Sequence, residues 1–127
     1  LKGIKKIFLY YTVWTSGTPY LYFLYQLAEK MGLPVKAEVF MDRAYEEDGS
    51  LVARTKEGAM ITDEDLAIDR VLSMILKRKV QAISGKEIPI QADSVCVHGD
   101  GEKALLFVKK LRAALTENGV EIRKLKG

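Results

Sequence analysis

Short apolar runs, each giving way to a segment of helical period, constrain what this chain can fold into more than any other feature. Ile7 to Val13 is a continuous apolar run rich in aromatic and β-branched residues, and Val35 to Phe40 and Ser94 to His98 read as further strands. An unbroken apolar run of this length suits a strand covered on both faces. Strand then helix, recurring, predicts an α/β fold with a largely parallel sheet. The 127 residues are enough for one domain with a sizeable core. With 48% hydrophobic and 29% charged residues, the chain is not of the disordered class.

The helices have recognisable ends. Thr18 offers an N-cap and Pro19 suits the first turn of a helix running to about Met31, which Gly32 closes with Pro34 beyond. Leu21, Leu24, Ala28 and Met31 mark one face, and Tyr22, Phe23 and Tyr25 make the rest apolar, as in a helix packed against other protein. Thr62 followed by Asp65 resembles a capping box, with Ile61 and Leu66 placed for a hydrophobic staple. Ile68, Val71, Leu72 and Ile75 form that helix's buried stripe, and Lys77-Arg78-Lys79 complements its dipole. Val80 to Ile90 reads as a hairpin or an extended excursion around Ser84-Gly85. A last helix with Ala104, Val108, Leu111 and Leu115 inward reaches Asn118, Gly119 closes it, and Val120 to Ile122 is expected as a short strand.

Charge and cysteine use narrow the partners. A net charge of +3, scattered along the chain, does not predict nucleic-acid binding. Lys5-Lys6, the apolar run and Thr15-Ser16-Gly17 imitate a signal peptide, but a run of about eight residues fits a buried strand better and falls far short of a membrane span. Cys96 is the single cysteine, which rules out an internal disulfide and fits a reducing, cytoplasmic setting. The sequence lacks an initiator Met and enters a strand pattern almost at once, so it is expected to be part of something longer.

In parallel α/β folds, ligands meet the loops at the C-terminal ends of strands. Two such loops carry closely spaced polar residues, Asp42-Arg43-Ala44-Tyr45 and His98-Gly99-Asp100-Gly101. His98 is the only histidine, placed to relay protons or ligate a metal, or else simply to bond its loop. The two-residue strand period puts Cys96 on the same side, where it reads as a core thiol. Asp100 either caps the next helix or lines the site. Arg43 either holds a substrate carboxylate or pairs with Asp42 or Glu46. Tyr45 either lines the pocket or packs in the core. Gly99-x-Gly101-x-x-Ala104 matches the loose dinucleotide fingerprint, but Asp100 would face the pyrophosphate and no further βαβ units follow. No Walker loop, paired-Cys metal motif or Gly-x-Ser-x-Gly elbow is present.

Those two loops also resemble a known family. Glu38-Val39-Phe40-Met41-Asp42-Arg43-Ala44-Tyr45 is similar to the E-V-F-A-D-R-A-Y motif of the LamB/YcsF family. The similarity continues through Asp48-Gly49-Ser50-Leu51-Val52-x-Arg54, Gly58-Ala59-Met60-Ile61 and Ala92-Asp93-Ser94-Val95-Cys96-Val97-His98-Gly99-Asp100. Met41 stands where the family has Ala and Ser94 where it has Thr. The resemblance implies the C-terminal part of a seven-stranded (β/α) barrel of the glycoside hydrolase and deacetylase type. The family's N-terminal motifs, which carry most of its site histidines and acids, have no counterpart here, so this chain would not hold the whole site.

The resemblance further implies the A component of the ATP-dependent 5-oxoprolinase. That enzyme opens the lactam of 5-oxo-L-proline to L-glutamate together with subunits B and C, and ATP is handled through the complex. His98 and Asp100 are then the expected catalytic residues and Asp42, Arg43 and Tyr45 the substrate-binding ones, with any metal undetermined. Two other readings compete: a metal-dependent hydrolase of another amide or carbohydrate, and a non-catalytic piece that binds partner chains. Open edges of a partial parallel sheet would also favour self-association.

Overall fold

A computed structural model describes residues 9–12, 26–33, 35–99 and 102–124. Strand β1 (Leu9–Thr12) and β2 (Val35–Phe40) pair in parallel, and β2 pairs in parallel with β5 (Ser94–Cys96). The sheet order is β1-β2-β5. The α/β class and parallel sheet expected from the sequence are therefore present. β5 starts against β2 through a local clamp: the Asp93 carboxylate accepts from the Ala37 N–H at 2.9 Å, and the Asp93 N–H donates to the Ala37 carbonyl at 2.8 Å.

Residues 26–30 are helical and Gly32 ends that helix at φ +70°; the expected start at Thr18 and Pro19 lies outside the described residues. The Gly32 N–H reaches the Glu29 carbonyl and the Leu33 N–H the Ala28 carbonyl, so a left-handed glycine satisfies the last carbonyls. Helix α1 (Glu64–Leu72) is capped by Asp63, whose carboxylate accepts from the Leu66 N–H at 2.9 Å. That corrects the expected cap at Thr62. A shift of one residue moves the staple positions to Thr62 and Ala67, so Leu66 is free to stand 50% exposed. The helix continues as a π turn (Ser73–Lys77) and stops on Arg78 at φ +55°. The expected hairpin follows as β3 (Lys79–Gln81) and β4 (Glu87–Pro89), with Gly85 at φ +91° in its turn.

Helix α2 (Glu102–Glu117) ends on Gly119, where the Val120 N–H reaches the Leu115 carbonyl. Its buried face is narrower than expected: Leu111 and Leu115 are buried, but Val108 is 40% exposed. Val120 to Ile122 is irregular rather than a strand, and no ladder is formed there among the described residues. Met41, Ala67, Ile68, Val71, Leu111 and Leu115 close one core between the sheet and the two helices, with Val95 and Val97 packed against it. A second core joins Phe40, Tyr45 and Leu51 to the hairpin through Val80 and Ile88. Val95 and Val97 pack against the first core, and Val95 together with Cys96 also packs against the second.

Candidate functional site

The even-numbered face carries the polar chemistry. Register pairs Glu38 with Ser94 and Phe40 with Cys96. One further pleat brings together Asp42 and His98, just past the ends of β2 and β5. His98 Nδ1 lies 3.0 Å from Asp42 Oδ1 and 3.1 Å from Oδ2. A carboxylate is an acceptor, so the Nδ1 proton belongs on that side and Nε2 is left to act on other groups. The Phe40 ring stacks on the imidazole with centroids 5.2 Å apart and planes 10° from parallel. The ring is therefore held from one edge and one face. His98 remains 42% exposed at its side chain and Asp42 19%.

Cys96 Sγ sits 3.7 Å from His98 Nε2. The arrangement resembles a thiol nucleophile with its base, but the electrostatics oppose that. Burial, followed by the carboxylates of Glu38 and Asp42, pushes the Cys96 thiol above its ordinary range. A thiolate is the nucleophilic form, and this environment disfavours it. Cys96 is thus a neutral wall beside the imidazole, closer to the site than its expected place as a core thiol.

A cleft of about 250 Å³ opens beside the pair, lined by Asp42, Thr62, Asp63, His98, Lys103 and Phe107. It lies between the N-terminal ends of α1 and α2, where the helix dipoles place a positive partial charge. Gly99 turns the chain at φ +127°, and a Cβ there would meet the Ala104 Cβ at 3.2 Å. The glycine of the dinucleotide-like motif is thus explained by close approach of the loop to α2. Asp100 and Gly101 lie outside the described residues. No group of three or more His, Cys, Asp and Glu side chains is placed to hold a metal ion among the described residues. No helix among them is long and apolar enough to cross a membrane.

Two expected substrate ligands have other partners. Arg43 is 4% exposed and donates from Nη2 to the Val52 carbonyl at 2.8 Å. Among the described residues it makes no ion pair with Asp42 or Glu46; it fastens the 43–60 excursion, which also bridges Arg43 to Met60. Tyr45 is fully buried, and its hydroxyl accepts from the Phe40 N–H at 2.9 Å. It secures the end of β2, and with it the ring that stacks on His98, rather than lining a pocket. Arg70, unnoticed in the sequence, reaches from α1 to the carbonyls of Arg43 and Gln81. Glu38 and Ser94, which the sequence offers only within the family motifs, share the face of Cys96 and His98 by the two-residue period.

Tyr45 carries a measurable prediction. Burial pushes its phenol from 10.0 up to about 12. A raised folded pKa favours the neutral form, so this contribution is intact below pH 10 and erodes as pH rises from 10 towards 12. A displacement of that size is worth roughly 3 kcal/mol. Tyr45→Phe removes this alkaline loss but orphans the Phe40 N–H, at a cost of about 1–3 kcal/mol near neutrality. Denaturant melts of the full-length protein and its Tyr45→Phe variant between pH 7 and 11.5 should converge as pH rises; parallel curves would contradict the burial-raised phenol.

The LamB/YcsF family model matches residues 15–127. This chain belongs to the LamB/YcsF family. It is 65% identical over 95 residues to the A component of 5-oxoprolinase from Clostridium beijerinckii, covering 75% of this chain and 37% of that protein. It is 55% identical over 97 residues to the Campylobacter jejuni protein of the same name, covering 76% of this chain and 38% of that one. The crystal structure of the lactam utilization protein from Thermus thermophilus superposes on 94% of this chain and 44% of its own, with a TM-score of 0.76 at 36% identity. The chain thus spans well under half the length of the relatives it matches. The LamB/YcsF resemblance read from the two rim loops is the family found.

Proposed function

We propose that this LamB/YcsF chain supplies part of the site at which a 5-oxoprolinase opens the lactam of 5-oxo-L-proline to L-glutamate. On this reading it forms the C-terminal portion of a seven-stranded (β/α) barrel, assembled with subunits B and C that handle ATP. The observation that carries the proposal is the Asp42–His98 pair at the ends of adjacent parallel strands, where such folds place their chemistry. The name that the relatives share, the A component of 5-oxoprolinase, supports the substrate.

Ring opening adds one water across the amide: its oxygen joins the carbonyl carbon, the C–N bond breaks and the nitrogen gains a proton. A five-membered lactam is unreactive, and coupling to ATP supplies the driving force. Asp42 fixes the tautomer and orientation of the imidazole, and Nε2 moves the proton or polarises the carbonyl. Asp100, expected beside His98, either joins this pair or caps α2.

The test is reconstitution of the full-length protein with its two partner subunits. With ATP and 5-oxoproline, stoichiometric L-glutamate is expected, abolished when any one component is omitted. An assembled complex that leaves 5-oxoproline intact but cleaves another amide or an acetylated sugar on addition of a divalent metal would overturn the proposal in favour of a metal-dependent hydrolase.

A further inference from the structure

Beneath the Asp42–His98 pair, the same sheet face carries a carboxylate with no ionic partner among the described residues. Glu38 is half-buried on β2, and its Oε2 accepts from the Ser94 hydroxyl at 3.3 Å. Among the described residues it makes no ion pair. One hydroxyl occupies only a fraction of a carboxylate's roughly four lone-pair positions. The Glu38–Ser94 level lies roughly 13 Å of strand below the Asp42–His98 level. Cys96 stands between them, with His98 leaning down to within 3.7 Å of its sulfur. The strip therefore runs from an acceptor-only group, past a neutral thiol, to an imidazole.

We propose that Glu38 is a specificity-determining residue of this site, whose carboxylate accepts the N–H of a cyclic secondary amide. The inference rests on the lactam-opening reading above and adds to it the group that reads the nitrogen. The chemistry of the ligand leaves little choice. A lactam acid presents its carbonyl and its carboxylate as acceptors, and both repel an anionic acceptor. The ring N–H is its only donor. A site built to bond an N–H leaves Glu38 without that partner when an N-substituted ring binds, so it discriminates strongly against such rings.

The experiment measures kcat/KM of the full-length protein, assembled with its partner subunits, on 5-oxoproline and on its N-methyl analogue. Wild type, Glu38→Gln, Glu38→Met and His98→Ala are compared. The wild type is expected to favour the N–H substrate at least 100-fold. Glu38→Met should collapse this preference to within about tenfold by losing activity on the N–H substrate alone. Glu38→Gln, which retains a carbonyl acceptor, should fall between the two. His98→Ala should slow both substrates and keep the preference. An equal loss on both substrates in Glu38→Met, or loss of its melting transition, would make Glu38 a structural residue and overturn the inference. Unchanged discrimination would do the same while leaving the lactam reading intact. A wild-type complex inactive on 5-oxoproline would remove the lactam reading and this inference together.

Discussion

Replacing His98 by Ala in the assembled full-length protein is expected to lower turnover by about a hundredfold or more, the usual contribution of a positioned acid–base group. The melting temperature should fall by only a few degrees. The side chain is 42% exposed, and its truncation removes one stacking face on Phe40 and one bond to Asp42. A stacked aromatic pair contributes about 0.5–1.5 kcal/mol. Asp42→Asn tests the other half of the pair. It keeps the size and the backbone carbonyl that accepts from the Ile61 N–H, but its amide can turn a donor towards Nδ1 and favour the wrong tautomer. Its activity should fall while assembly persists. Normal turnover in a correctly assembled His98→Ala complex would remove His98 from the chemistry, and loss of assembly would assign it a structural role.

The 127-residue chain on its own is expected to self-associate rather than melt as a monomer. Among the described residues, β1 and β5 are each paired on one side only. Leu105 at 56% and Val108 at 40% exposure are i, i+3 neighbours on α2, and Leu106 at 64% is exposed elsewhere on the same helix. A parallel sheet whose described edges are open, beside exposed leucines on α2, recruits further strands, from other copies if from nothing else. The Thermus protein extends over more than twice the length matched here, which is the amount of fold available to cover these surfaces in a whole LamB/YcsF protein. Sedimentation should show oligomers or aggregate. A monodisperse monomer with a single cooperative calorimetric transition would contradict the reading of this chain as consecutive units of one larger barrel.

The two strand-end loops were legible because strand ends are marked twice, by the close of an apolar run and by the polar residues that follow. His98 and Asp42 emerge from that pattern, and their pairing follows from strand register. What the sequence hid depended on distant partners. The Arg43 guanidinium bonds a carbonyl nine residues along a folded-back loop, a contact that no period records. Tyr45 turns inward to the Phe40 N–H for the same kind of reason. The cap of α1 was misplaced by one residue because Thr62 and Asp63 are both good caps, and only backbone geometry decides between them. Val120 to Ile122 has strand-like residues but forms no ladder among the described residues, and β-propensity alone does not make a strand. Glu38 lies on the same face by the strand period, but a position inside a strand does not by itself mark a site residue.

The measurement that bears most directly on the central claim is a double-mutant cycle on the pair. kcat/KM would be compared for wild type, Asp42→Ala, His98→Ala and the double variant in the reconstituted complex. If the carboxylate acts through the imidazole, the second substitution removes nothing further, and the double variant should lie within about threefold of His98→Ala alone. Losses that multiply, leaving the double variant lower by the full product of the single effects, would show that the two residues act independently and that their contact is not the working unit of the site.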